Sequence, residues 1–297
     1  MKSFNEIYEQ IYTESNEELQ ILKRNRIIKI LIALIIGILT LLVLNKIIDT
    51  AIPFVLITIM IILITGVVIS KEKYTPTFKE KAIKPLIKNI DMNLKYNPKG
   101  GIPSAIYQKG EFEKYDNYHS EDEIEGMLDG KCILRMAEVL TEEESTDSEG
   151  RTQTFTIFHG IFGNIEATKN IGTTLKVRSD KGKFGGIFKG KTKIDMDSAE
   201  FEKYFDIYAE NRIVAMQILT ADVMEMMIDF IKTSEIKYEL TIKENQIYIR
   251  FHTGNVFEPK MFKDVLDYNM LKKYYDIITF IFNVTKAINK AIENTEI

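Results

Sequence analysis

The sequence predicts an α+β fold: a two-helix transmembrane hairpin followed by a mainly antiparallel β-sheet domain with flanking helices. Three observations predict it. Two long apolar runs lie early and close together, the middle of the chain alternates polar and apolar residues, and helical spacing returns near the end. Strands in succession with helices gathered at the ends argue against an alternating parallel-sheet fold.

Residues 27–48 read IIKILIALIIGILTLLVLNKII and residues 52–70 read IPFVLITIMIILITGVVIS. Each run has about the 20 residues that cross a hydrocarbon core as a helix. Neither shows the polar face of a soluble core helix. The short connection between them requires an antiparallel hairpin. Asp49 or Thr50 can cap the second helix, and Pro53 falls in its first turn, where no intrahelical bond is lost. Ala33 with Gly37, and Gly66 with Ser70, have the small-residue spacing that lets helix backbones approach. A secretory leader fits this pattern poorly, given Glu6, Glu9, Glu14, Glu17 and Glu18 ahead of the first run and the second run directly after it.

Lys23, Arg24, Arg26 and Lys29 flank the first run, and Lys71, Lys73, Lys79 and Lys81 follow the second; the connection holds only Lys46, beside Asp49. Lys and Arg gather on the cytoplasmic side. The expectation is a multi-pass protein of the inner cell membrane with both termini cytoplasmic and the lipid bilayer as its first partner. Four segments follow: an amphipathic cytoplasmic helix at 1–26, the hairpin at 27–70, a cytoplasmic α+β domain at 71–260, and a C-terminal helix at 261–297 that packs on the domain or on a partner.

In the first segment Phe4, Ile7, Tyr8, Ile11 and Tyr12 share a helical face. Its glutamates disfavour an anionic membrane surface, so packing on its own protein is expected. Beyond the hairpin, residues 74–101 read as a helix ended by Asn97, Pro98, Gly100 and Gly101. Strands are expected at 131–140, 152–167, 173–178, 191–195, 237–243 and 246–252, the last two joined by a turn at Glu244 and Asn245. The polar stretch TEEESTDSEGR between the first two reads as an exposed hairpin loop. FEKYFDIYA (201–209) begins as a helical turn and ends extended. Helical spacing covers 214–231, with Thr220 or Asp222 as a start, and the C-terminal segment, where Tyr274, Ile277, Ile278, Ile281, Val284, Ile288 and Ala291 form one face.

Little in the sequence points to a reaction. The net charge of −4 argues against a nucleic-acid partner, and the single Cys132, in an apolar strand pattern, reads as a buried small residue. His119, His159 and His252 stand far apart, so no metal-ligand spacing and no cofactor fingerprint is present. The stretch GGIFKGKT at 185–192 matches the phosphate-loop pattern, but a polar run precedes it and a strand-like alternation follows. A phosphate loop needs a buried strand before the glycines and a helix after them, so no nucleotide is expected. What remains is a basic loop over 176–193, in which Lys181, Lys183, Lys189, Lys191 and Lys193 are candidate contacts for anionic lipid or phosphate. The acidic stretch HSEDEIEGMLDG, with Glu121, Asp122, Glu123, Glu125 and Asp129, reads first as a solvated loop and second as a source of hydrolase carboxylates.

Residues 197–227, with TFTIFHGIFGNIEA before them and IYIRFHTGNVFEP after, resemble the bacterial membrane protein family known as domain of unknown function 3137. The matching positions are Phe201, Glu202, Lys203, Phe205, Ile207, Tyr208, Ala209, Ile218, Leu219, Thr220 and Met224, with Phe158 to Gly160 upstream. The resemblance spans about residues 102–259 and implies a fold, with no activity and no catalytic residue attached. The function expected is a membrane-anchored binding or regulatory module with a membrane-associated protein partner. The alternatives are a carboxylate-dependent hydrolase at the membrane surface, or an anionic-lipid contact through the basic loop.

Overall fold

The computed structural model describes residues 2–44, 52–128, 130–147, 149–179, 192–260 and 263–295. The chain divides into two units, residues 1–89 with 258–271, and residues 90–257 with 272–297.

The first unit is helical. α1 (Phe4–Leu44) is one continuous helix that joins the amphipathic segment to the first apolar run, and α2 (Ile52–Phe78) carries the second run onward. Ser3 caps α1: its hydroxyl accepts from the Glu6 N–H while the Glu6 carboxylate accepts from the Ser3 N–H at 2.9 Å. Pro76 sits inside α2 and removes one ladder donor; a π-helical turn at Lys79–Ile83 follows, then α3 (Lys84–Ile90). The amphipathic face packs as expected, with Phe4, Ile7, Ile11 and Leu19 buried. Tyr268 meets the Phe4 and Tyr8 rings edge-on, each at 5.0 Å, and Ser15 Oγ donates to the Lys81 carbonyl at 3.1 Å.

α1 and α2 lie against each other, and a Cβ on Gly37 would touch the Met60 sulfur at 3.9 Å. Among the described residues no helix is long and apolar enough to cross a membrane. The two expected spans are therefore not established by them. Asp49, Thr50, Lys46 and the rest of the connection at 45–51 lie outside the described residues.

The second unit is a nine-stranded sheet in the order β1-β2-β3-β4-β9-β8-β5-β7-β6, antiparallel at every pairing. Its strands are β1 (Lys95–Asn97), β2 (Asn117–Leu128), β3 (Cys132–Thr146), β4 (Thr152–Glu166), β5 (Thr174–Arg178), β6 (Thr192–Ile194), β7 (Asp206–Ala209), β8 (Tyr238–Lys243) and β9 (Gln246–Phe251). The helices are α4 (Ser104–Lys109), α5 (Phe201–Tyr204), α6 (Arg212–Ile218), α7 (Ala221–Ser234) and α8 (Tyr268–Asn294), the last belonging to this unit from Lys272 onward. Thr220 caps α7 by accepting from the Val223 N–H, and Asn211 caps α6 through Ile213 and Val214.

One face of the sheet carries α7 and α8. Tyr238 and Phe251 pack under Phe230 of α7 and Phe280 of α8, and Tyr238 donates its hydroxyl to the Met227 carbonyl at 3.0 Å. The opposite face carries α4 over a cluster that includes Ile102, Tyr107, Phe112, Val139, Phe158 and Phe162.

Two expectations are corrected by strand pairing. The acidic stretch is no solvated loop: its residues 119–128 lie in β2, paired to β3 from Leu128 with Cys132 out to Asn117 with Glu142, Asp122 is buried, and Asp129 lies outside the described residues. The polar stretch after Leu140 is likewise largely strand, because β3 runs on to Thr146 and pairs there with Thr152.

Candidate functional site

Strands β5, β8 and β9 read TLKVR, YELTIK and QIYIRF, each alternating apolar residues with polar or charged ones. Alternation puts Lys176, Arg178, Glu239, Thr241 and Arg250 on the α4 face. Pairing then sets Arg178 beside Glu239 and Glu239 beside Arg250, so one carboxylate sits between two guanidiniums. Arg250 grips Glu239 with two bonds, Nε to Oε2 at 3.2 Å and Nη2 to Oε1 at 3.1 Å. Arg178 Nη2 lies 3.7 Å from the same carboxylate.

The residues after α4 close this face from above. The Gly110, Glu111 and Phe112 carbonyls accept from Thr241 Oγ1 (2.9 Å), Lys176 Nζ (2.7 Å) and Arg178 Nη2 (3.1 Å) respectively. Glu111 bridges Lys243 and Lys176, and Glu113 reaches Arg250. Tyr107 accepts from Arg250 Nη1 and donates to Glu113 Oε1, both at 2.7 Å. The Arg250 guanidinium lies over the Phe112 and Phe158 rings, 4.4 and 4.9 Å from their centroids. Burial alone would raise the Glu239 pKa; Arg250, a hydrogen bond from His252 and Arg178 reverse this and hold it at about 2. Glu239 is therefore ionised at neutral pH and has no proton to give. Fully partnered charge under an aromatic cover works as a clamp for the 110–113 segment, not as a reaction centre.

A space for a ligand lies on the other face. A groove of about 900 Å³ runs between α7 and α8. Met226, Phe230, Phe280, Ala287 and Ala291 supply its apolar surface. Asp222 and Asp229 of α7, and Lys272, Lys286 and Lys290 of α8, supply its charge. Lys272 is already paired with Asp276 at 2.6 Å. Thr279 also lines the groove, and its buried hydroxyl has no hydrogen-bond partner among the described residues.

Of the residues singled out from the sequence, Lys176, Arg178 and His252 join the ionic cluster, while the described acidic residues of the 119–130 stretch gather in neither place. Lys176 and Arg178 are buried strand residues, so the basic segment at 176–193 does not start as a loop. Lys193 lies on β6 and pairs with Asp206 at 2.8 Å; Lys181, Lys183, Lys189 and Lys191 lie outside the described residues. Strand β6 directly follows the phosphate-loop match, where a phosphate site needs a helix. Along β2, Asp122 accepts from the Tyr96 hydroxyl and Glu125 lies 4.0 Å from Arg135. His159 Nε2 is 2.9 Å from Glu138, and His252 Nε2 is 3.5 Å from Glu239. Among the described residues no group of three His, Cys, Asp or Glu is placed to hold a metal ion. Cys132 is buried and receives a hydrogen bond from Asn289 Nδ2 at 3.2 Å.

No curated protein matches this chain. Among solved structures, the crystal structure of the mycobacterial trehalose monomycolate transport factor A, TtfA, is similar at a TM-score of 0.40 and 7% identity, over 71% of this chain and 95% of that one. Residues 156–290, which hold the strand residues of the buried ionic cluster but not its 107–113 cover, and all but the C-terminal end of the groove, match the family model described as "Protein of unknown function (DUF3137)".

Proposed function

We propose that this chain is a membrane-anchored binding or regulatory module, with the α1–α2 hairpin as anchor and the α7–α8 groove as the surface that takes a protein partner. One observation carries the anchor. Ile28, Leu31, Ile32, Leu34, Ile35, Ile38 and Leu39 of α1 are all exposed, as are Val55, Ile59, Ile61, Ile62 and Ile64 of α2. Residues 30–39 read ILIALIIGIL, so this stretch of α1 has no polar side. A protein surrounded by water rarely keeps so large a contiguous apolar surface, and a bilayer is the solvent that suits it. The apolar runs also continue on both sides of the connection into residues that are not described. The flanking Lys and Arg residues favour an inner-membrane hairpin with both termini cytoplasmic.

A binding role is favoured over catalysis because the buried carboxylates of the sheet are committed to cations, hydroxyls or backbone donors. The groove combines apolar floor residues with charges of both signs, a surface suited to a protein segment. Alkaline carbonate extraction of native membranes tests the anchor. The protein is expected to stay in the pellet, and its bulk is expected to resist protease added outside spheroplasts. Release into the supernatant, or digestion from outside, would sink the reading.

A further inference from the structure

We propose that the outer edge of β4 at residues 152–157 is a docking site for an extended basic segment of a partner protein, which adds to the sheet as one more strand. The inference stands apart from the membrane anchor and from the helix groove.

The edge is open for a topological reason. β9 pairs with β4 only from Ile161 to Glu166, and β2 pairs with β3 only as far as Glu142. Among the described residues, 143–146 and 152–155 therefore form a two-stranded ribbon whose strands pair only with each other. The two outer edges of this ribbon differ. On the β3 side, Asp116 covers the backbone: its N–H donates to the Glu142 carbonyl at 2.8 Å and its carboxylate accepts from the Glu144 N–H at 2.7 Å. On the β4 side no backbone group of residues 152–157 has a partner beyond β3 among the described residues.

The sequence of that open edge is TQTFTI: rich in strand-forming residues, with no charge and no proline. Proteins normally blunt such edges with lysines, prolines or bulges. Here the register shift that leaves Ile157 without an opposite residue lies only at the inner end of the segment, and Phe155 is left 52% exposed. One strand away, β3 places Glu142, Glu143 and Glu144 in a row, none of them in an ion pair among the described residues. Arg151, the only Lys or Arg within residues 143–155, is occupied by Asp147 and Glu149. The ribbon thus offers backbone hydrogen bonds, one apolar side chain and unneutralised negative charge. An extended segment with alternating lysines or arginines complements all three, since backbone pairing supplies affinity and the long cationic side chains reach toward the glutamates. The same acidity makes a second copy of this edge a poor partner.

The test uses the purified full chain in detergent and three fluorescein-labelled heptapeptides: KTKVKTK, the same peptide N-methylated at alternate residues, and ETEVETE. Saturable binding of KTKVKTK is expected, weakened by added salt, with slowed amide exchange over residues 152–157. N-methylation removes strand pairing and leaves the charge, so it should weaken binding by roughly tenfold or more. ETEVETE should not bind. T154P should abolish binding; because proline can distort the ribbon, the N-methyl comparison leaves the protein untouched and decides the matter. Failure of KTKVKTK to bind, equal binding of the two basic peptides, or protection elsewhere in the chain each overturns the proposal. So does a concentration-dependent dimer that T154P dissolves, since the edge would then serve a second copy.

Discussion

Arg250 and Glu239 face each other on adjacent strands, joined by two hydrogen bonds, with 5% of each side chain exposed. Breaking such a pair from one side strands a buried charge and costs about 3–5 kcal/mol, whereas removing both charges together is far milder. R250M and E239L should each lower the thermal unfolding midpoint strongly. The double variant leaves one cation, Arg178, and one nearby carboxylate, Glu113, and should cost less than the two single changes added together. Additive losses, followed by circular dichroism, would show that the pair does not act as a unit.

Acid sensitivity follows from the same carboxylate. Its folded pKa of about 2 lies below the ordinary 4.5, so the unfolded chain binds the proton first. Its contribution is complete above about pH 4.5 and is lost as the pH falls toward 2. The difference amounts to about 3 kcal/mol. In urea titrations the wild-type chain should lose stability steeply as the pH falls from about 4.5 toward 2, and E239Q, less stable at neutral pH, should show a flatter limb.

At the alkaline end the sign reverses. Burial raises the pKa of Tyr107 and Tyr238; for Tyr96 and Tyr274 burial also leads, with Asp122 adding to Tyr96 and Glu138 to Tyr274. A raised folded pKa stabilises below the ordinary tyrosine value of 10.0 and is lost above it. Phenolate absorbance should therefore leave these four tyrosines silent until the chain unfolds, and stability should fall with rising pH beyond that value.

Polar substitution on the hairpin separates lipid from water as its surroundings. Ile35 and Ile62 are exposed, so I35D and I62D should be harmless or improve solubility if water covers them. In a bilayer each charge costs about 3 kcal/mol near the centre of a span. The double variant is expected to move from the carbonate-resistant pellet to the supernatant or to be degraded in the cell.

Gly160 lies on β4 where β9 ends, and a Cβ there would stand 1.9 Å from the Phe251 carbonyl oxygen. No side-chain rotation relieves a clash with backbone. G160A should cost about 2–3 kcal/mol or more, read as a drop in unfolding midpoint with the far-ultraviolet spectrum retained. G130A, where a Cβ meets open space but φ is +67°, should cost only about 1 kcal/mol.

By itself the sequence determined what depends on near neighbours. The alternation of YELTIK and QIYIRF across Glu244 and Asn245 specified the β8–β9 hairpin, Thr220 marked the start of α7, and the spacing from Tyr274 to Ala291 specified the buried face of α8. The two apolar runs were plain for the same reason. Tertiary structure decided what depends on partners distant in sequence. Lys176 and Arg178 looked like the start of a basic loop, yet their acceptors lie 65 and 66 residues away in the segment after α4. Arg250 finds Glu113 at a separation of 137 residues. The acidic stretch at 119–128 and the glutamates after Leu140 read as loop because charge suits solvent; backbone pairing to β3 and β4 made strands of them. The charged positions within TLKVR and YELTIK did carry a faint signal, since a strand that alternates apolar residues with charge must put that charge somewhere. Whether it meets water or a buried counter-ion is fixed by the element that packs over it, and a strand's own sequence cannot specify that element.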